Sequence, residues 1–360
     1  MRFSIIIGYR NRELNRVKRT LDALSNQNFT DFELIFVDYG SDEAIAQQAE
    51  TFVGEYSFAR YYYSNTRGWF WNRAHALNTG VKIATGELML FFDIDLIVEK
   101  EFIQKIALLD YNSKFYTFSC FYLPEHFNYE QSVLEIDGIH FKQDYVGLCA
   151  VSREMVNNIN GFDEYFMVWG AEDDDFYTRL RQAGIAHIHQ SATEFTVFHQ
   201  WHPTHTPKIP TMWYLQMVHY LSKKRYNSKY STHLWGKRIA AKERLLLSLV
   251  NNQQYDLDIR VSNHTGYLLF NELIDAIYNP AVQNIRFEFR QLPMKKGKSH
   301  WLSLIKSVSS KMDIYEISIN DVLLILQHVI GSCRPNLADY RLQENSSSIE
   351  LIMVKVHAAN

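Results

Sequence analysis

Leu88-Met89-Leu90-Phe91-Phe92-Asp93-Ile94-Asp95 is an apolar run closed by two acids one residue apart. The run has strand length, and its unbroken apolarity suits a strand covered on both faces, as in a parallel sheet. The chain ahead of it alternates strand and helix. Phe3 to Ile7 reads as a strand, and Leu14, Val17, Leu21 and Leu24 then recur at helical spacing. Glu33 to Val37 reads as a second strand, ending at Asp38-Tyr39-Gly40-Ser41-Asp42. Ser41 is placed to cap a helix bearing Ala44, Ile45, Ala49 and Phe52. Tyr61 to Tyr63 reads as a third strand, and Ala74, Leu77, Val81 and Ala84 mark a helix stopped by Gly86. This order predicts an α/β fold with a mostly parallel, doubly wound sheet. In open sheets of this kind, ligands bind beyond the carboxyl ends of the strands. Gly8-Tyr9-Arg10, Asp38 and Asp93-Ile94-Asp95 should therefore face one crevice.

Further on, Tyr145 to Val151 is a candidate strand and Gly161-Phe162-Asp163 a turn. Glu172 to Ala183 reads as a helix, with Phe176, Leu180 and Ala183 on one face and Gly184 as its stop. After residue 240, Tyr255, Leu257, Ile259 and Val261 alternate, as do Ile285, Phe287 and Phe289. Leu268 to Ile277 and Asp321 to Ile330 have helical patterns, and Ile349 to Val356 reads as a last strand. The expected organisation is a site-bearing domain over 1–205, a helical connecting segment over 206–240 and a small α/β accessory domain over 241–360. In the connecting segment Trp213, Met217, Tyr220 and Leu221 form an apolar stripe, followed by Lys223, Lys224, Arg225, Lys229, Lys237 and Arg238. A helix packed on the first domain with a solvated basic face is the plain reading. Peripheral contact with the inner face of an anionic membrane is the sharper one.

Composition narrows the class. Of 360 residues, 47% are hydrophobic and 21% charged, as in a soluble globular protein. A formal charge of −3 argues against general affinity for nucleic acid. Cys120, Cys149 and Cys333 are too widely spaced for a disulfide framework or a zinc knuckle, so reduced thiols in a cytoplasmic setting are expected. With a strand read at the very start, no signal peptide is expected ahead of it, and no apolar run reaches the ~20 residues that span a bilayer.

The chemistry lies in two acidic groups and a histidine. Asp93 and Asp95 at the end of a buried strand repel each other and are poorly solvated, and a divalent cation relieves both effects. Carboxylate oxygens suit Mg²⁺ or Mn²⁺, and an added imidazole tilts the choice towards Mn²⁺. Asp-x-Asp also occurs in ordinary turns, so the preceding helix–strand context carries the argument. Glu172-Asp173-Asp174-Asp175 exceeds the one or two acids that a helix dipole accounts for. Directly before them, Trp169 offers a flat face for a sugar ring and Gly170 permits close approach. An acid held there is a candidate general base. His199, His202 and His205 recur every third residue, but Trp201, Pro203 and Pro207 argue against a helical zinc site. His199 follows the apolar stretch Phe195 to Phe198 and is the candidate third metal ligand.

Over residues 1–205 these features resemble the nucleotide-sugar-dependent glycosyltransferases of family 2, with the Rossmann-like GT-A fold. Trp169-Gly170-Ala171-Glu172-Asp173 is similar to the catalytic motif of galactosyltransferases and chondroitin polymerases. Asp93-Ile94-Asp95 and His199-x-x-His202-Pro203 follow in the family's order. The resemblance implies that Asp38 hydrogen-bonds uracil, that Tyr9 and Arg10 line the nucleotide, and that Arg67 and Asn72 border the donor pocket. It implies Asp93 at ribose or metal, Asp95 and His199 on the metal, Glu172 at a sugar, and Asp173 as the base of an inverting displacement. Gly8-Tyr9-Arg10-Asn11 departs from the family, which more often has a proline before its aromatic–Asn pair. The expected partners are a nucleotide-sugar donor, UDP-linked, and a saccharide or lipid-linked saccharide acceptor.

Two other readings use the same residues. A metal-dependent nucleotidyltransferase or phosphohydrolase also employs paired acids and a cation, but has no need of Trp169-Gly170. A non-catalytic nucleotide-sugar-binding protein would keep the fold without the full acid set.

Overall fold

The computed structural model describes residues 3–129, 140–142, 147–167, 171–203, 255–262, 281–292, 319–333 and 337–355, with 236, 239, 272, 273, 275–277 and 279 singly or in short pieces. Trp169, Gly170, His205 and the apolar and basic stripe from Trp213 to Lys229 lie outside the described residues.

The apolar run at the start forms β1 (Phe3–Tyr9), followed by α1 (Leu14–Ser25), β2 (Phe32–Asp38), α2 (Glu43–Val53), β3 (Ala59–Tyr63), α3 (Arg73–Ile83) and β4 (Leu88–Phe91). Every residue of β2 and β4 is buried, as continuous apolar strands between helical layers should be. Beyond β4 come β5 (Leu96–Val98), α4 (Phe102–Ala107), β6 (Lys114–Phe118), β7 (Cys120–Tyr122), β8 (His140–Lys142) and β9 (Cys149–Ser152). Then follow α5 (Arg153–Asn158), α6 (Glu172–Gln182), β10 (Ala186–Gln190) and β11 (Val197–His199).

The main sheet has the order β10-β6-β9-β4-β1-β2-β3. All its pairings are parallel except those of β9, which runs antiparallel to β4 and β6. The mostly parallel α/β sheet expected from the sequence is therefore present. The chain moves outward from β1 to β3 and returns to the other side of β1 as β4. That reversal opens a crevice between the carboxyl ends of β1 and β4. A smaller sheet of order β5-β11-β7-β8 continues from it, with His199 in register with Leu96.

Two expectations about helix ends have different outcomes. Gly184 adopts φ +82°, with Ile185 N–H bonded to Leu180 O and Gly184 N–H to Arg181 O, so it stops α6 in a Schellman turn. Ser41 does not cap α2. Asp42 holds the cap position, and the Ser41 hydroxyl instead accepts the Asn11 N–H at 2.9 Å.

The described residues group into two compact units. The first takes those within 1–67, 71–206 and 213–240, and the second those within 68–70 and 241–360. In the second, β12 (Leu257–Ser262), β13 (Asn284–Arg290), β14 (Leu337–Glu344) and β15 (Ser348–Lys355) form a sheet of order β12-β13-β15-β14, accompanied by α7 (Ile319–Cys333). Its own segment 68–70 is anchored there: Trp69 stacks on Tyr340 at 5.4 Å and donates Nε1–H to Asp339 Oδ1 at 2.9 Å. Among the described residues no helix is long and apolar enough to cross a membrane.

Candidate active site

Successive residues of a helix point about 100° apart, so four acids in a row cannot share one role. At the start of α6 they divide. Glu172 and Asp173 turn towards Arg73, and Asp174 is exposed. Asp175 is buried and accepts from Arg179 Nε at 2.7 Å, while Arg179 Nη1 donates to the carbonyls of Ile159 and Gly161. Asp175 thus braces the 159–161 turn under the helix. Phe176, on the next position, stacks on Phe162 at 4.0 Å and meets Phe91 of β4 edge-on. These contacts fix the helix start against the strand end. Ala171, at the helix N-cap, has φ 72° without a side-chain cap, a left-handed conformation that costs a non-glycine residue ~1 kcal/mol. The strain sits immediately before the two acids that face the crevice.

Arg73 opens α3, where the helix dipole disfavours a cation. Three carboxylates compensate. Arg73 Nε donates to Asp93 Oδ1 at 3.0 Å and Nη1 to Asp173 Oδ1 at 2.7 Å, with Glu172 Oε1 at 3.6 Å from Nη1. Nη2 donates to the Gly147 carbonyl at 3.0 Å. One guanidinium therefore ties the end of β4 to the start of α6. Burial pushes the Asp173 carboxyl well above the usual carboxylate range; Arg73 pulls it down, and Glu172 and Asp93 push it further up. Burial also raises Glu172, against the pull of Arg73. A carboxylate whose affinity for protons is raised this way is a better proton acceptor than one in water.

Asp95 lies in a second cluster. His199 Nε2 is 3.6 Å from Asp95 Oδ1, and His202 Nε2 is 3.2 Å from Asp95 Oδ2. The three donor atoms lie within 4.8 Å of one another, the one such group of His, Cys, Asp and Glu among the described residues. Strand pairing sets this up: Gln200 N–H donates to Asp95 O at 2.8 Å, and Tyr122 stacks on His199 at 4.7 Å. Burial lowers the His199 pKa, which favours the neutral imidazole that can ligate. The hydrogen bond to Asp95 raises that of His202. A hard carboxylate oxygen with two imidazole nitrogens fits a divalent cation.

The remaining candidates are placed differently. Asp93 is outside this three-residue group, since its carboxylate faces Arg73. Asp38 is fully buried and accepts from Ser41 N–H at 2.7 Å and Tyr61 Oη–H at 2.8 Å. Its carboxylate shapes the loop after β2. Gly40 in that loop has φ +78°, and a Cβ there would lie 2.4 Å from Arg67 N. Tyr9 is a core residue that donates to Arg12 O, while Arg10 reaches Tyr39 O and Thr66 O and lies over the Tyr39 ring. Arg67 Nη2 donates to Ser41 O at 3.4 Å. Asn72 caps α3 through the His75 N–H and donates to Glu164 O, so its amide braces the helix start.

Two residues of the site carry no role in the sequence reading. His202 stands in the His199-x-x-His202-Pro203 motif, where only His199 is assigned to the metal; it reaches Asp95 from irregular chain beyond β11. Arg73 follows Asn72 directly. Its signal was a basic residue at a helix start, which needs acids nearby.

Known proteins resemble this chain over the same region. The family model described as glycosyl transferase family 2 matches residues 4–119, and the one described as the N-terminal domain of galactosyltransferase matches residues 132–202. Beta-1,4-galactosyltransferase 1 of Bos taurus is 33% identical over 123 residues, which cover 32% of this chain and 26% of that protein. Human beta-1,4-galactosyltransferase 6 is 30% identical over 135 residues, covering 35% of this chain and 31% of the relative. The matched stretch is thus about a quarter to a third of these relatives' length. Among solved structures, S. aureus TarS 1-349 in complex with UDP-GlcNAc aligns at a TM-score of 0.48 and 18% identity, over 70% of this chain and 72% of that one. GalNAc-T7 with UDP, GalNAc and Mn²⁺ aligns at 0.42 and 14%, over 62% and 50%. Between them the two family models take in Arg73, Asp93, Asp95, Glu172, Asp173, His199 and His202, and over residues 4–119 and 132–202 the chain is similar to the family 2 glycosyltransferases and the galactosyltransferases.

Proposed function

We propose that this protein is an inverting glycosyltransferase that moves a sugar from a nucleotide sugar, UDP-linked, to a hydroxyl of a saccharide or glycolipid acceptor. The observation that carries the proposal is the single guanidinium of Arg73 joining Asp93 to Asp173, beside the Asp95–His199–His202 group. Asp173 accepts the proton of the acceptor hydroxyl as the oxygen attacks the anomeric carbon, whose bond to the diphosphate oxygen breaks so that the nucleoside diphosphate leaves with that electron pair. Arg73 holds the Asp173 carboxylate in one orientation and offsets its charge while no acceptor is bound. Glu172 borders the sugar. A divalent ion held by Asp95, His199 and His202, Mn²⁺ in preference to Mg²⁺, would supply charge neutralisation at the donor diphosphate. Asp93, held by Arg73, lies towards the ribose. Asp38 acts on the nucleotide through the Tyr39–Ser41 loop that it shapes, together with Arg10 and Arg67. Trp169 and Gly170 serve nucleotide-sugar binding, and residues 241–360 form an accessory unit.

The relatives' names support a hexosyl donor, and the TarS complex supports a UDP-linked one. The test is a screen of labelled nucleotide sugars with purified protein and Mn²⁺ against a panel of saccharide acceptors. Transfer from a UDP-sugar, with the anomeric configuration inverted in the product by NMR, is the expected result. Transfer with retained configuration would overturn the single-displacement course, and release of a nucleoside monophosphate in place of the diphosphate would overturn glycosyl transfer.

A further inference from the structure

The two acids of Asp93-Ile94-Asp95 each face an arginine of their own. Asp93 has Arg73; Asp95 has Arg16 of α1, whose Nη1 lies 3.9 Å from Asp95 Oδ2. The Arg16 side chain is only 8% exposed. Its Nε makes no hydrogen bond to the described residues, and its nearest other acid is the largely exposed Glu13 at 3.6 Å. Gln200, next to His199 in sequence, donates to the Arg16 carbonyl at 3.1 Å and so holds this turn of α1 to the strand end. A buried guanidinium does not lose its proton.

Charge balance then sets a condition on loading. With both imidazoles neutral the three residues carry one negative charge, and Arg16, shared with the exposed Glu13, offsets part of it. A divalent cation arriving alone meets a weakened attraction and a fixed positive neighbour. A diphosphate changes this, because its oxygens can face the cation and the guanidinium together. We propose that Arg16 makes the Asp95–His199–His202 site anion-dependent, so that the divalent cation loads together with a diphosphate and not ahead of it. The inference rests on the reading of these three residues as the cation site. Linkage makes the effect reciprocal: the cation tightens the diphosphate by the same factor.

The test is Mn²⁺ binding by electron paramagnetic resonance of the free ion, with and without inorganic pyrophosphate and corrected for the soluble Mn²⁺–pyrophosphate complex. Wild type, Arg16→Met and Arg16→Lys are compared, with circular dichroism as the check on folding. In wild type, pyrophosphate should tighten Mn²⁺ by about ten-fold or more, within the usual range of coupling between sites. Arg16→Met should bind Mn²⁺ alone more tightly than wild type and lose most of the pyrophosphate effect; Arg16→Lys should keep it. Equal behaviour of Arg16→Met and wild type in both arms would overturn the role of Arg16. Should Arg16→Met fail to fold, wild type decides: tight Mn²⁺ binding that pyrophosphate leaves unchanged overturns the inference. Absence of Mn²⁺ binding by folded wild type in both arms would instead overturn the cation site itself, and with it the metal-assisted part of the proposed function.

Discussion

Arg73 and Asp173 stand a hundred positions apart in the chain and meet through a 2.7 Å hydrogen bond from Nη1 to Oδ1. The bond brings the start of α3 to the start of α6 across the carboxyl end of β4. It also sets the chemistry of Asp173, since Arg73 is the main influence opposing the upward push of burial.

Replacing Arg73 by Met should therefore act in two ways. Asp173 loses the hydrogen bond that orients it, and its proton affinity rises further. The first lowers sugar transfer, by about 10²-fold or more if positioning a base is worth what general-base catalysis usually contributes. The second has a sign. A base works only when deprotonated, so the rising limb of the pH–rate profile should move to higher pH in Arg73→Met. A profile of kcat against pH for both proteins checks it, and an unmoved limb would separate Arg73 from the base.

His202 offers a test of the cation group that the sequence alone did not suggest. Its Nε2 lies closer to Asp95 than that of His199 does, 3.2 against 3.6 Å. His202→Ala should weaken Mn²⁺ retention by at least ten-fold, measured with pyrophosphate present; loss of a second-shell partner already weakens metal sites by about 10–100-fold. Retention equal to wild type would remove His202 from the ligand set.

Away from the site, Glu33 contributes to stability in acid. This carboxylate is almost fully buried. Burial alone would raise its pKa, but hydrogen bonds from Thr85 and Ser4 and the charge of Arg60 outweigh that and bring it to about 2. A depressed folded-state pKa means that the stabilisation is present above the unfolded value of 4.5 and is lost as pH falls towards 2. Glu33→Gln should thus be less stable than wild type at neutral pH, by about 2 kcal/mol, the scale of a hydrogen bond to a charged group. The gap should close between about pH 4.5 and pH 2. Urea unfolding across that range measures it.

Much of the framework was legible because apolar runs and helical periods are local signals. Leu88 to Phe92 announced β4, and Ile285, Phe287 and Phe289 announced β13. The weaker elements were not announced. β10 is Ala-His-Ile-His-Gln, a largely exposed edge strand without the apolar run of a buried one, and β14 carries polar residues at half of its positions. At the site, residue types pointed to the acids and His199, but partnership depends on packing between distant segments. Asp175 has a local signal in Arg179 four residues on, whereas nothing local marks Asp173, whose partner Arg73 is a hundred positions away. The donor-side roles of Asp38 and Asn72 come from the family resemblance and not from a local signal. In the folded chain their side chains are engaged by Ser41, Tyr61, His75 and Glu164.

The central claim is that Asp173 takes the acceptor's proton, and turnover by Asp173→Asn tests it most directly. With a donor identified, the variant should bind that donor as wild type does, by calorimetry, yet transfer sugar about 10²–10⁴-fold more slowly, the range expected on losing a general base. Transfer at the wild-type rate by a folded Asp173→Asn protein would contradict the account.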